Sequence, residues 1–140
     1  MKFMIVVKAT ADSEAGRFPP NAESLFQAMA SYHEELAKAG VLLDASGLQP
    51  SSKGWRVRYE GGNRKVVDGP FTESKELIAG YTLIQVRSRA EALEWSRRFP
   101  NPVGESQPAE IEVRQIYEME DFEQLTTPET RERFKQIGME

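Results

Sequence analysis

The sequence predicts an α+β fold with the order β-α-β-β-α-β and a β-hairpin inserted between its second and third strands. Three observations carry that prediction. Lys2 to Lys8 (KFMIVVK) is apolar on both alternating faces, which places it in the middle of a sheet covered twice. Two longer stretches, Asn21 to Gly40 and Ser88 to Phe99, repeat apolar residues at helical steps of three and four. Between them Trp55, Val57 and Tyr59 alternate with Arg56 and Arg58, and Glu60-Gly61-Gly62-Asn63 turns the strand back.

In the first strand Phe3, Ile5 and Val7 point one way and Met4 and Val6 the other. Ala9 to Pro20 has no apolar period and contains Gly16, Pro19 and Pro20, so it reads as a loop. Asn21 is then placed to cap a helix whose inward stripe is Leu25, Phe26, Met29, His33, Leu36 and Ala37. Gly40 ends it. Val41 to Pro50 starts apolar, carries Asp44 and breaks at Gly47, the pattern of a strand with a bulge or bend.

Arg64 to Val67 is the return strand of the hairpin. The chain then meets a sharp corner at Asp68-Gly69-Pro70, where Pro70 fixes φ and Gly69 allows backbone angles closed to other residues. Tyr81 to Val86 is a strand with Tyr81 and Leu83 on one face, Ile84 and Val86 on the other. Ser88, with Glu91 three residues on, starts the second helix, whose buried side is Ala92, Leu93, Trp95, Ser96 and Phe99. Ile111 to Tyr117 is the last strand. From there the chain is charged, with a short helix signalled by Thr127 and Pro128 and only Phe134 and Ile137 to anchor it. The expected division is therefore a domain over residues 1–118 and a charged tail over 119–140.

Without its hairpin this order is the ferredoxin-like split unit, with both helices on one face of an antiparallel sheet. The opposite face keeps half of the first strand's apolar residues. A symmetric dimer that packs the two sheets face to face would cover it.

Composition narrows the function classes. Eighteen basic and 22 acidic residues give a net charge of -4, with no concentrated basic face, so direct nucleic-acid binding is not expected. The absence of cysteine excludes disulfides, thiolate nucleophiles and thiolate metal sites. No apolar run has the length of a membrane span or the form of a signal peptide, and a cytoplasmic protein is the expectation. There is no glycine-rich phosphate loop after a strand and no nucleophile elbow. No cofactor or metal is expected.

Three groups of residues can carry chemistry. His33 is the only histidine and sits on the inward helix stripe, and Asp44 follows on the next strand, which runs antiparallel to that helix. A carboxylate on one ring nitrogen would fix the tautomer and make the other a general base. The plainer reading is that His33 satisfies a nearby carbonyl. The second group is Asp68, Thr72, Glu73 and Lys75, with Glu76, at the corner. Carboxylates beside a lysine can bind a polar ligand, and equally Asp68 and Thr72 can simply close the turn. The third is Arg56, Arg58 and Arg64 on the hairpin, an anion site or the hairpin's solvent side.

The corner stretch Asp68-Gly69-Pro70-Phe71-Thr72-Glu73-Ser74-Lys75-Glu76, followed by Ile78-Ala79-Gly80-Tyr81, resembles the signature of the DGPF branch of the YCII-related (YciI-like) family. Ala39 to Leu43, Gly47 to Ser51 and Ile111 to Arg114 resemble the family's second-strand region and closing strand. The resemblance covers roughly residues 1–118 and implies a dimeric α+β barrel. It also implies a His–Asp pair as the active site, a role that His33 and Asp44 fit. The resulting expectation is a small dimeric lyase or isomerase that abstracts a proton from an organic molecule, with Asp68 or Glu73 and Lys75 on the ligand's polar end. The rival is a non-catalytic ligand-binding or regulatory dimer, linked to sigma-factor-dependent transcription as relatives of that branch are.

Overall fold

The computed structural model describes the chain except for Glu73, Glu140 and the side chain of Ser74. It runs β1 (Lys2–Lys8), α1 (Ala11–Glu14), α2 (Ala22–Lys38), β2 (Leu42–Gly47), β3 (Trp55–Glu60), β4 (Asn63–Asp68), β5 (Ile78–Gln85), α3 (Arg89–Arg97), β6 (Ile111–Gln115) and α4 (Pro128–Gln136). Four strands form one antiparallel sheet in the order β2-β5-β1-β6, and β3 and β4 form a separate two-stranded sheet. This is the ferredoxin-like α+β architecture with an inserted hairpin.

β1 is interior because both of its faces are apolar, and its register sorts the residues of the sheet. Phe3 pairs with Ile84 and Gln115, and Ile5 pairs with Thr82 and Val113. Directly paired residues share a face. The face with Phe3, Ile5 and Ile84 packs on Tyr32 and Leu36 of α2 and on Ala92 of α3, with Trp95, Phe99 and Val113 against them. Ile5, Leu36 and Ile84 are fully buried. The other face carries Met4, Val6, Tyr81 and Leu83, with Lys8, Glu112 and Arg114 beside them.

The α2 stripe is rotated from its expected position. Tyr32 and Leu36 are the buried positions, whereas Phe26 is 55% exposed and Ala37 is exposed. Phe26 instead packs its ring against Phe18 of the preceding loop, with centroids 6.1 Å apart. Asn21 holds the cap position without a side-chain capping bond. Within the expected loop, Thr10 and Ser13 form a reciprocal capping box that starts α1. Leu93 of α3 is exposed, not buried. Thr127 caps α4 with Pro128 in its first turn, as expected. Of the two expected anchors, Phe134 is about two-thirds covered and Ile137 is exposed. Arg131 ties the helix down as well, donating to the Glu123 and Thr126 carbonyls at 2.9 and 2.6 Å.

Candidate functional site

His33 lies on α2 above β5. Its Nδ1 is 2.7 Å from the Met29 carbonyl oxygen, four residues back in the helix. A carbonyl only accepts, so Nδ1 carries a proton, and Nε2 faces the Thr82 hydroxyl at 2.8 Å, accepting from it when the ring is neutral. Thr82 is 2% exposed. The ring is further clamped edge-on by Tyr32 at 5.4 Å and Phe99 at 6.2 Å. The plainer sequence reading is the one this geometry matches: His33 satisfies a carbonyl and ties α2 to the sheet.

Asp44 is on the other face. Leu42 pairs with Ile84 and therefore faces the helices, and strict alternation would turn Asp44 the same way, toward His33. A bulge between Leu42 and Asp44 adds one residue, and Asp44 pairs with Leu83 instead. One inserted residue moves a side chain to the opposite face of a sheet. There Asp44 Oδ2 accepts a hydrogen bond from the Tyr81 hydroxyl at 3.0 Å. The structure thus corrects the expected dyad: His33 and Asp44 are separated by the sheet.

The face around Asp44 is mixed. Tyr81, Leu83, Met4 and Val6 supply apolar surface, and Lys8 Nζ lies 3.3 Å from Glu112, which also pairs with Arg114 at 3.4 Å. The Lys8 hydrogen bond, then its charge and the bond from Arg114, hold the Glu112 carboxyl below the usual carboxylate range.

The corner is built around Ser51. The Ser51 hydroxyl donates to Glu14 Oε1, its amide donates to Glu14 Oε2 at 2.9 Å, and the Phe71 amide donates to Ser51 Oγ at 3.0 Å. The Gly69 amide donates to the Gly54 carbonyl at 3.0 Å, and the Gly69–Pro70 peptide is cis. A Cβ on Gly69 would lie 1.9 Å from the Ser51 carbonyl oxygen, so only glycine fits.

The corner therefore locks the base of the hairpin against α1. Asp68, Thr72 and Lys75 are exposed along it, and Glu73 lies outside the described residues. Arg56 stacks over Phe71 at 3.8 Å, on the hairpin face that Arg58 shares by alternation. Arg64 is on the other face, over Tyr59 at 4.9 Å. The three arginines do not converge on one site.

Sequence reasoning missed Tyr81, Thr82, Ser51 and Glu14. Tyr81 and Thr82 sat in a strand read only for its apolar pattern, Glu14 in a stretch read as a loop, and Ser51 after the Gly47–Pro50 break, neither with a local signal. Among the described residues no group of three or more His, Asp or Glu side chains can hold a metal ion. No helix among them is long and apolar enough to cross a membrane. Two clefts, of about 490 Å³ beside α4 and about 470 Å³ between α3 and β6, include none of the predicted site residues.

Against known proteins, the YCII-related domain matches residues 1–120. An uncharacterised protein of Rhizobium meliloti (strain 1021) is 32% identical over 79 residues, 56% of this chain and 64% of the relative. The chain thus spans a little under two thirds of that relative's length. Among solved structures, the 5-chloro-2-hydroxyhydroquinone dehydrochlorinase from Burkholderia phenoliruptrix AC1100, in complex with 2,5-dihydroxybenzoquinone, is similar at 14% identity. That similarity covers 84% of this chain and 95% of the other with a TM-score of 0.45.

Proposed function

The chain belongs to the YCII-related family, and from that premise we propose that it is a homodimer, packed sheet to sheet, that binds a small organic ligand between its two sheets. The observation that carries this reading is the Tyr81–Asp44 hydrogen bond of 3.0 Å on the face turned away from the helices. Asp44 is an exposed carboxylate, and a ligand hydroxyl or amine can replace the Tyr81 phenol as its donor. Met4, Val6 and Leu83 offer apolar surface to the body of the same ligand. Few polar groups on an apolar lining is the usual composition of a small-molecule site.

The likeness of Asp68-Gly69-Pro70-Phe71 to the DGPF signature supports a regulatory version of this reading, in which the dimer is a partner in sigma-factor-dependent transcription. Asp68, Thr72, Lys75, Arg56 and Arg58 then belong to the hairpin and its base, not to the ligand site.

The test is light scattering for the dimer, then thermal shifts against a library of small phenols, diols and amines. Asp44→Asn should abolish the shifts given by the wild-type hits, and Tyr81→Phe, which removes the competing donor, should enlarge them, with the dimer intact in both. Hits that survive Asp44→Asn would move the site elsewhere.

A second reading keeps the lyase or isomerase. It is favoured by the Met29 carbonyl holding the proton on Nδ1, which leaves His33 Nε2 as an oriented base. It requires the Thr82 hydroxyl to give way to substrate. Turnover of any hit that persists in His33→Gln would end it.

A further inference from the structure

The register of the β3–β4 arm sorts its charges onto two faces. Arg56 pairs with Val67, Arg58 with Lys65 and Glu60 with Asn63, so these residues share one face. Arg64 pairs with Tyr59 and lies on the other. The expected anion site on Arg56, Arg58 and Arg64 therefore does not form, and Lys65 takes the place that Arg64 leaves.

We infer that Arg56, Arg58 and Lys65 form a binding site for a phosphate dianion, free or at the end of an organic monoester. The site is on the arm, a sheet separate from the one that carries Asp44 and Tyr81, and it stands independently of the ligand site proposed there.

The pairing of Arg58 with Lys65 is the first argument. Directly opposite residues of a hairpin hold their Cβ atoms about 4.5–5.5 Å apart, where opposite charges stabilise the pair and like charges repel. Here two cations face each other. Both are exposed, and among the described residues neither forms an ion pair. An anion seated between them turns the repulsion into attraction on both sides.

Preorganisation is the second argument. Arg56 lies two residues along the strand from Arg58, about 7 Å away. Its guanidinium is stacked over the Phe71 ring at 3.8 Å. The Phe71 amide is tied to Ser51, which Glu14 holds in turn. One planar fork is thus in place before a ligand arrives, which lowers the cost of ordering the site.

Charge selects the ligand. Arg56, Arg58 and Lys65 against Glu60 leave two positive charges on this face. A carboxylate offsets one of them. A phosphate monoester carries about −1.5 to −2 near neutral pH, and its three oxygens suit two guanidinium forks and an ammonium. Glu60 is at the tip of the arm, so the anion sits toward the base, beside Val67.

The test follows amide ¹H–¹⁵N spectra of the full-length protein at fixed ionic strength and about pH 8, where both probes are dianions. Inorganic phosphate and phenyl phosphate are titrated separately. The amides of Arg58 and Lys65 should shift and saturate with at least one of them, and the tighter binder shows whether the site takes the free ion or a monoester. Arg58→Gln and Lys65→Gln should each weaken binding by about threefold or more, and Glu60→Gln should strengthen it by about the same factor. All three positions are exposed, so the fold persists in each variant. Shifts that never saturate, or that persist unchanged when Arg58 and Lys65 are both replaced by Gln, overturn the site. Binding of a DNA duplex with no saturable response to either phosphate compound makes the arm a nucleic-acid contact and overturns it as well.

Discussion

Tyr81 donates its phenolic hydrogen to Asp44 at 3.0 Å on the sheet face that His33 does not share. The bulge before Asp44 is what separates the two residues that sequence reasoning joined. The ring nitrogens of the histidine meet the Met29 carbonyl and the Thr82 hydroxyl instead. Long-range ¹H–¹⁵N spectra of the neutral ring should show Nδ1 protonated and Nε2 bare. Asp44→Asn should leave both nitrogen resonances in place, and Thr82→Val should move Nε2. A response of either nitrogen to Asp44→Asn would restore the dyad.

The corner motif makes a stability prediction. Gly69→Ala drives a methyl group into the Ser51 carbonyl, whose own residue is fixed by Glu14 and Phe71. Overpacking against a held backbone costs about 1–3 kcal/mol or more. Asp68→Ala, at an exposed position on the same corner, should change stability by no more than about 0.5 kcal/mol. Urea unfolding of the two variants measures the contrast. Equal losses would mean that the motif is held by Asp68 and not by the close approach.

Most of the fold was legible because it rests on periodicity. The two-faced apolar pattern of Lys2 to Lys8 placed β1 in the sheet interior, and Thr127-Pro128 marked the start of α4. The site was less legible because its decisive contacts are long-range. The bulge was anticipated in the second strand, but whether it fell before or after Asp44 decides the face, and no local signal in Leu42-Leu43-Asp44 sets that. Glu14 and Ser51 meet across 37 positions of sequence, Glu14 in a stretch read as a loop and Ser51 just past the break that ends the second strand. The α2 stripe read from helical spacing took in Phe26 and Ala37 and passed over Tyr32, which is buried and whose hydroxyl reaches the Trp95 carbonyl of α3.

The tail should come loose without unfolding the domain. Arg131 is the side chain that ties the first turn of α4 to the Glu123 and Thr126 carbonyls and the Thr126 hydroxyl. Arg131→Ala removes charge-assisted hydrogen bonds of about 1.5–3 kcal/mol from a segment that buries no side chain fully. Amide exchange over α4 should speed up by about tenfold or more, 1.4 kcal/mol per decade, with rates in β1 and β5 unchanged. Acceleration in β1 as well would show that the tail is part of the cooperative unit.

Tyr32 supplies the alkaline prediction. It is buried, its hydroxyl donates to the Trp95 carbonyl at 2.7 Å, and the Trp95 and Phe99 rings pack edge-on to it at 6.2 and 5.2 Å. Burial pushes its pKa up to about 12, with Arg98 pulling the other way and Glu35 adding to the rise. An unfolded tyrosine ionises near about 10. Below that pH both states hold the proton and the contribution to stability is complete. Between about 10 and 12 the unfolded chain releases the proton while the folded one keeps it, so stability falls as pH rises, until the contribution is lost above the folded pKa. Tyr32→Phe should therefore be less stable than wild type near neutral pH by about 1 kcal/mol, since the Trp95 carbonyl loses the shorter of its two hydrogen bonds and keeps the one from the Arg98 amide. That gap should narrow as the pH is raised past about 10. Urea unfolding of both proteins across this range measures it. A gap that stays constant to the alkaline limit would show that Tyr32 does not hold its proton against the solvent.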